Sequence, residues 1–352
     1  MEKLKIADKM PLVSVLLPVF NGALTIKKSI ESITSQTYPN LQIIIINDGS
    51  TDNTLDVIEK TSKNDSRFKI ISRENKGLIH TLNEGLSIAA GKYIAREDAD
   101  DYSHPDRIKK QVKYLENNPK TMVLGTNNIL FGHVNNKVHY PTDPDKSKAH
   151  LMFSPPVSHP STMLRKSFFI DNNLSYNLQY PHCEDYALWM NVIDCGGDIS
   201  NLNEFLHFYR EHENNISKVH SSTTINGHYK ISRQLLKKLQ INFSDEDLML
   251  FIGAETKQIY TSLDLIKYKK ILELHNHVYD QNKIHKIYND VHLKDIFFKH
   301  TSRYIENKLG SKALFIQKST QLYTDNIKEK FNLYLTAYKR DLINLIKSII
   351  KK

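Results

Sequence analysis

Three aspartates stand close together directly after an apolar, strand-like run. The run 91–95 is followed by Asp98, Asp100 and Asp101. Carboxylates at this spacing repel one another unless a cation lies between them. Their oxygens are hard ligands, which suit Mg²⁺ or Mn²⁺ better than zinc. The cluster therefore predicts a divalent-cation site at a strand end, and the alternative is a solvated acidic loop.

Apolar runs and helical patterns alternate along the first hundred residues. The runs 12–19, 41–46, 68–72 and 93–96 indicate strands, and the segments between them carry apolar residues at helical spacing. Near-continuous apolar runs are typical of parallel strands that are buried on both faces. We therefore predict an α/β fold with a doubly wound, mostly parallel sheet and helices on both faces.

Polar residues follow each predicted strand, at 18–21, Asp48, 73–77 and 98–101. Ligands of doubly wound sheets bind beyond the carboxyl ends of the strands, so these clusters predict a shared crevice. The first loop lacks the Gly-x-Gly-x-x-Gly pattern of dinucleotide sites, and no Walker A loop is present. Asp48 can accept hydrogen bonds from a base or a ribose, and the acidic cluster can hold a metal on a diphosphate.

A second carboxylate pair, Glu184 and Asp185, begins a predicted helix. The helix dipole favours ionised carboxylates in a first turn, and a general base needs the ionised form. By their residue types alone, the two are more often helix-capping residues than bases.

These motifs together resemble the family 2 glycosyltransferases, which have the GT-A fold. The resemblance covers about the first 215 residues. The matching stretches are 15–21, 35–39, 46–52, 74–77, 95–101 and 105–107.

The resemblance implies a nucleotide-sugar donor, usually linked to UDP. The residues that would line the donor site are Pro18, Phe20, Asn21, Asp48, Asn75, Lys76 and Gly77. Asp98 and Asp100 match the metal motif of the family, with Asp101 beside them. Arg96 would orient this loop or meet the donor sugar, and a structural ion pair with Asp98 or Asp101 is the alternative.

The resemblance also assigns acceptor-side roles. Asp185, in preference to Glu184, would be the catalytic base of a single displacement that inverts the anomeric configuration. His159 would contact the sugar or the acceptor, unless it is a loop histidine bonded to backbone. Trp189, the only tryptophan, would stack on an acceptor sugar, and core packing is its alternative.

A closing segment, 208–217, adds two cationic candidates to the site. Arg210 or His212 would reach the pyrophosphate or the metal, and a solvated loop is the alternative. The expected cofactor is Mn²⁺ or Mg²⁺.

The positive charge is concentrated in the last third of the chain. Residues 1–220 hold 25 Lys and Arg against 26 Asp and Glu, whereas residues 221–352 hold 23 against 13. We predict a catalytic domain over 1–220 and a basic α-helical region over 221–352. Its last helix, 327–350, is amphipathic and followed by Lys351 and Lys352, which suits an anionic membrane surface. The alternative is burial against other helices or a second subunit in a homo-oligomer.

The expected reaction moves galactose, N-acetylgalactosamine, glucose or N-acetylglucosamine from UDP to a growing surface glycan, such as a lipopolysaccharide, capsule or O-antigen. The acceptor is expected to be lipid-linked. A non-catalytic scaffold that binds nucleotide sugars is the alternative. No recognised nucleic-acid-binding module is present. The start of the chain has no signal-peptide core, so we expect a cytoplasmic location, peripheral to the membrane's inner face.

Overall fold

The computed structural model of the protein describes residues 10–212, 221–253, 264–304, 309, 311–318 and 327–350. The chain forms two compact units. The first comprises Met1–Ser147 and Ser154–Gly227, and the second comprises Lys148–Phe153 and His228–Lys352. The boundary predicted after residue 220 thus lies near the one after Gly227, but the sequence did not indicate that Lys148–Phe153 joins the second unit.

The first unit is built on a nine-stranded sheet with the order β3-β2-β1-β4-β8-β6-β9-β5, in which β7 pairs with β6. The strands are β1 (Val13–Val19), β2 (Leu41–Asp48), β3 (Phe68–Arg73), β4 (Tyr93–Arg96), β5 (Tyr102–Ser103), β6 (Thr121–Gly132), β7 (Asn136–Val138), β8 (Met163–Arg165) and β9 (Asp198–Glu211).

The predicted α/β fold is confirmed in the parallel strands β3, β2, β1 and β4. Their carboxyl ends share one edge of the sheet. Beyond β4 the sheet becomes mixed, because β8 is antiparallel to both β4 and β6. The long strands β6 and β9 run parallel to each other, and the sequence patterns did not predict them.

Seven helices connect these strands: α1 (Ile26–Thr34), α2 (Thr54–Ser62), α3 (Leu78–Ile88), α4 (Arg107–Asn117), α5 (Pro144–His150), α6 (Lys166–Asp171) and α7 (Glu184–Asp194). Successive side chains of a strand point to opposite faces of the sheet. Val15 packs in a core with Ile30 of α1 and Val112 of α4. Leu16 faces α3 instead, where a Cβ atom on Gly85 would lie 2.2 Å from its Cδ1. Helices therefore cover both faces, as predicted.

In its described residues the second unit is helical, as the pattern of its sequence predicts. Its helices are α8 (Ser221–Lys237), which begins in the first unit, α9 (Asp245–Ile252), α10 (Leu265–His285), α11 (Asp290–Tyr304), α12 (Ser311–Lys318) and α13 (Ile327–Ile350). The Ser244 and Asp264 side chains cap α9 and α10 by accepting backbone N–H groups, at 3.1 and 2.8 Å. None of the helices in the described part of the chain is long and apolar enough to cross a membrane.

Candidate active site

The acidic loop between β4 and β5 brings its three aspartates together. One carboxylate oxygen from each of Asp98, Asp100 and Asp101 lies within 4.8 Å of the other two. The Ser29 hydroxyl of α1 lies 2.5 Å from the carbonyl oxygen of Asp98 and 2.8 Å from that of Asp101. A single side chain of α1 thus holds both ends of the loop.

The end of β9 lies against the other side of the acidic loop. The backbone N–H of Arg210 donates to Asp101 Oδ1 at 2.7 Å, and Arg210 Nε donates to the Asp100 carbonyl oxygen at 3.0 Å. His212 Nε2 lies 3.1 Å from Asp100 Oδ2. The structure therefore brings both cationic candidates of the closing segment to the loop, while its later part, 213–217, lies outside the described residues.

A fully buried carboxylate, Glu97, supports the loop from behind. It accepts a hydrogen bond from Arg107 Nη2 at 3.0 Å and one from the Ser103 hydroxyl at 2.5 Å, and His207 Nε2 lies 3.2 Å from its Oε1. Burial raises the pKa of Glu97, but the charges of Arg107 and His207 outweigh burial, so the net shift is downward. Glu97 is therefore an ionised structural group beneath the loop.

The acidic loop has the properties of a cation site. Burial and the charge of Asp98 raise the pKa of Asp100, and burial with both neighbouring carboxylates raises the pKa of Asp101 further. Among the described residues, buried Asp101 Oδ2 has no hydrogen-bond partner, and His207 Nε2 lies 3.6 Å from it. A buried carboxylate oxygen without a hydrogen bond, beside two other carboxylates, fits the hard oxygen ligation of Mg²⁺ or Mn²⁺. Asp98, Asp100 and Asp101 are the residues that would hold the ion, with His212 beside Asp100.

Arg96 lies between the acidic loop and the rest of the site. Its Nη2 is 2.5 Å from Asp98 Oδ1, and its Nη1 donates to the Glu97 carbonyl oxygen. The ion-pair alternative for this residue is therefore present in the structure. Within the part of the chain that the structure describes, its buried Nε has no hydrogen-bond partner.

Asp48 organises the loop that follows β3. Its carboxylate accepts the backbone N–H groups of Lys76 and Gly77, both at 2.9 Å, and it pairs with Arg73. Burial raises the pKa of Asp48, but these donors outweigh burial and lower it below its ordinary value. Asp48 is 4% exposed. The carboxylate therefore fixes the backbone of the predicted donor loop, in which Asn75 and Lys76 are exposed.

The loop after β1 is joined to the loop after β2. Asn21 Oδ1 accepts the backbone N–H of Thr51 at 2.8 Å, and the backbone N–H of Asn21 donates to the Ser50 hydroxyl at 2.9 Å. Pro18 is buried within β1, whereas the side chain of Phe20 is 53% exposed at the same edge. The exposed ring of Phe20 is thus available to a ligand, and Asn21 positions the loop.

The carboxylate pair begins α7, as predicted. Glu184 is buried and Asp185 is half-buried, and Asp185 Oδ1 accepts the N–H of Tyr186 at 2.7 Å. Burial raises the pKa of Asp185 to about 6, and burial with the charge of Asp185 raises that of Glu184 to about 7. The charges of Arg96 and Asp98 also act on Asp185, so the pair shares an electrostatic environment with the acidic loop.

His159 occupies a 3-10 turn, His159–Ser161, near the same groups. Its Nε2 lies 2.8 Å from the Tyr176 hydroxyl. Burial, with the charge of Arg96, holds the pKa of His159 well below its usual range, so the ring is neutral at pH 7. Its ring stands edge-on to Trp189, with the centroids 6.0 Å apart.

The chain is similar to known proteins. A model of the family "Glycosyl transferase family 2" matches residues 14–181. An uncharacterized glycosyltransferase of Haemophilus influenzae is 37% identical over 244 residues, which cover 64% of this chain and 74% of that protein. The chain belongs to glycosyl transferase family 2.

Two further similarities describe this family 2 glycosyltransferase. WfaP of Escherichia coli, a UDP-Glc:alpha-D-GlcNAc-diphosphoundecaprenol beta-1,3-glucosyltransferase, is 34% identical over 217 residues, which cover 59% of this chain and 80% of WfaP. The crystal structure of S. aureus TarS 1-349 in complex with UDP-GlcNAc has a TM-score of 0.56 at 16% identity, covering 87% of this chain and 88% of that chain. The second similarity supports the GT-A-type fold alone.

The expected role of Trp189 in this glycosyltransferase needs a correction. Its side chain is fully buried, so neither face of the ring is open to an acceptor sugar. Trp189 packs in the core behind His159, which is the alternative that its helical position left open.

The structure also brings residues to the site to which the sequence assigned no individual role. Arg73, the first residue of the predicted strand-end cluster 73–77, pairs with Asp48. The Tyr176 hydroxyl lies 2.8 Å from His159 Nε2. Tyr209 precedes Arg210, whose backbone N–H donates to Asp101 of the acidic loop. Tyr176 carries no local signal, because its position depends on contacts distant in sequence.

Proposed function

We propose that this glycosyltransferase moves a hexose from a UDP-sugar to a glycan hydroxyl by a metal-assisted, inverting single displacement. Asp185 is the general base, and Asp98, Asp100 and Asp101 hold Mn²⁺ or Mg²⁺, with His212 as a further ligand. The single observation that carries this proposal is the cluster of Asp98, Asp100 and Asp101, in which one carboxylate oxygen of each residue lies within 4.8 Å of the other two. The charges of Arg96 and Asp98, which affect the pKa of Asp185, support its assignment to the same site.

Each group has a defined task in this mechanism. Asp185 accepts the proton of the acceptor hydroxyl as the oxygen attacks the anomeric carbon, and its pKa near 6 leaves it ionised at neutral pH while keeping it basic. Glu184 is the neighbouring carboxylate, whose pKa the charge of Asp185 helps to raise to about 7. A divalent cation, when bound, neutralises charge on the diphosphate leaving group. Attack opposite to the leaving group inverts the anomeric centre.

The nucleotide is assigned to the strand-end crevice. The exposed Phe20 and the loop Asn75–Gly77, whose backbone Asp48 fixes, would contact the base and ribose. Arg96, which pairs with Asp98, would place its positive charge near the diphosphate or the sugar. His159 is neutral and held by Tyr176, which suits a hydrogen bond to a sugar hydroxyl.

The relative WfaP favours a UDP-sugar donor and a lipid-linked acceptor. Its name specifies UDP-glucose and a diphosphoundecaprenol acceptor. The donors to test are therefore UDP-glucose, UDP-galactose and their two N-acetylhexosamine counterparts. The scaffold alternative would bind such a donor without consuming it.

A panel of these four donors tests the proposal. The full-length protein is incubated with each donor and Mn²⁺, and UDP release to water is measured with and without EDTA. We expect slow release of UDP from one of the four donors, and we expect EDTA to abolish this release. Asp100→Ala removes the release, whereas Asp171→Ala, at an exposed carboxylate ending α6, retains it. Binding of UDP without release from any donor would favour the scaffold and overturn the enzymatic proposal.

We further propose that α13 contacts an anionic membrane surface. Leu335, Tyr338 and Leu342 form a stripe at helical spacing with exposed fractions of 56%, 61% and 58%. Leu333 and Ala337 are buried on another face of the helix. The net positive charge of residues 221–352 complements anionic lipid. Lys351 and Lys352, which follow this helix in the sequence, lie outside the described residues.

Flotation with vesicles containing phosphatidylglycerol tests the membrane contact. The wild type is expected to float with these vesicles and not with neutral phosphatidylcholine vesicles, and replacing Leu335, Tyr338 and Leu342 with Ser should abolish flotation. Flotation that the triple substitution leaves unchanged would contradict the proposal. A concentration-dependent dimer that this substitution dissociates, without flotation, would support the homo-oligomer instead.

A further inference from the structure

An open cleft of about 600 Å³ lies in the first unit, between α3, the loop that follows α6, and α7. Cavities of this size are in the range that binds small molecules in proteins. Apart from Tyr176, none of its lining residues belongs to the site described above. They are Asn83, Asn173, Leu174, Ser175, Tyr176, Asn177, Leu178, Gln179 and Asn191.

The lining of the cleft is rich in carboxamides and has no charged residue. Five of its nine residues are Asn or Gln. A carboxamide both donates and accepts hydrogen bonds, which matches the hydroxyl groups of a sugar. The lack of a cation disfavours a phosphate or a carboxylate ligand. Leu178 is 56% exposed and offers an apolar surface to the carbon face of a pyranose ring.

Tyr176 lines the cleft and also contacts His159 of the predicted sugar site. Asn83 binds the backbone of Tyr176 from both sides: its Nδ2 donates to the Tyr176 carbonyl at 2.8 Å, and its Oδ1 accepts the Tyr176 N–H at 2.9 Å. The hydroxyl of Tyr176 lies 2.8 Å from His159 Nε2. The buried side chain of Tyr176 therefore joins the amide-lined cleft to the predicted sugar site.

Helix α7 gives the distance between the cleft and the base. Asp185 lies in its first turn and Asn191 lines the cleft six residues later. At a rise of about 1.5 Å per residue, the two positions are separated by about 9 Å along the axis. That separation is on the length scale of a short oligosaccharide.

We propose that this cleft is an acceptor subsite for neutral sugar residues. The side-chain amides of Asn191 and Gln179 hold sugar units of the acceptor. These units are the neighbours of the sugar whose hydroxyl Asp185 deprotonates. This inference rests on the proposed glycosyltransferase function. The subsite would select an uncharged oligosaccharide segment and set the register of the acceptor relative to the base.

Saturation-transfer NMR on the full-length protein tests the subsite. The probes are UDP and a set of methyl glycosides of neutral di- and trisaccharides containing glucose, galactose or N-acetylglucosamine. We expect at least one glycoside to bind the wild type. Asn191→Phe, which removes one amide and adds a bulky ring to the cleft, and Gln179→Ala, which removes another amide, should each weaken its binding about tenfold or more. Asn117→Ala changes an exposed helical amide outside the cleft and should leave binding unchanged.

The UDP signals in the same samples separate the two proposals. They also show that each variant is folded. Wild-type protein that binds UDP but no glycoside, or Asn191→Phe protein that binds the glycoside as tightly as the wild type, would overturn the subsite and leave the donor assignment standing. Glycoside binding that Asn191→Phe removes, in a protein that binds no UDP, would support the cleft and overturn the donor assignment.

Discussion

Removing the Glu97 carboxylate should destabilise the first unit strongly. In a Glu97→Ala variant, Arg107 stays buried without its ionised partner, and such unpaired buried charges cost about 3–5 kcal/mol. Arg107 keeps hydrogen bonds to the carbonyl oxygens of Arg96 and Pro160, at 3.0 and 3.2 Å. These acceptors offset part of the loss, so we expect the lower end of that range, about 3 kcal/mol.

Urea unfolding followed by tryptophan fluorescence measures this effect selectively. Trp189 is the only tryptophan and is fully buried in the first unit, so its emission reports on that unit. With a slope of about 2 kcal/mol per molar urea, the midpoint should fall by about 1.5 M. Glu97→Leu combined with Arg107→Met removes both charges and should recover much of the loss. A Glu97→Ala midpoint equal to that of the wild type would refute the supporting role of the pair.

A further variant of this carboxylate, Glu97→Gln, tests whether Glu97 is ionised through the pH dependence of stability. The folded pKa of Glu97 is lowered from its ordinary value of 4.5. Its stabilising contribution is therefore fully present above about pH 4.5 and is lost as the pH falls through the folded pKa. The difference in free energy of unfolding between the wild type and Glu97→Gln should therefore become smaller as the pH falls below about 4.5. A difference that stays constant down to pH 3 would contradict an ionised Glu97.

Three further predictions concern the base, the donor loop and the sheet. The kcat/KM for transfer should fall about tenfold per pH unit below about pH 6, because Asp185 becomes protonated, and a flat profile from pH 5 to 8 would exclude it as the base. Asp48→Ala should lower the free energy of unfolding in urea by about 1–3 kcal/mol and weaken UDP binding, because the Lys76 and Gly77 N–H groups lose their acceptor. An unchanged UDP affinity in titration calorimetry would contradict this role. Gly85→Ala should cost about 1–3 kcal/mol despite the helix propensity of Ala, because its Cβ meets Leu16, and a stabilised variant would show that α3 can move away.

The first hundred residues were predictable because β1, β2 and β4 are short, apolar and buried, and the edge strand β3 still has an apolar centre. The predicted run 41–46 became β2, Leu41–Asp48, with Asp48 at its end. The same rule correctly located the acidic loop at one sheet edge. By contrast, β6 and β9 pair Thr121 with Asp198, and they mix polar with apolar residues, so no local pattern identified them.

The supports of the site were beyond local sequence reasoning for a similar reason. Glu97 reads as one more carboxylate of an acidic loop, yet it is fully buried against Arg107, ten residues away, and His207, 110 residues away. Its burial depends on the long-range pairing of β5 with β9, in which Ser103 is opposite His207. Tryptophan is a residue type that can stack on sugars. Only the burial of Trp189 in the fold shows that it belongs to the core instead.

The most direct test of the central claim compares Asp185→Asn with the wild type in transfer and in UDP binding. With the donor that the panel identifies and an acceptor that the wild type uses, we predict that the variant binds UDP and Mn²⁺ with wild-type affinity and loses transfer by at least about 100-fold, the typical contribution of a general base. An Asp185→Asn variant that retains near-normal turnover would contradict the assignment of Asp185 as the base.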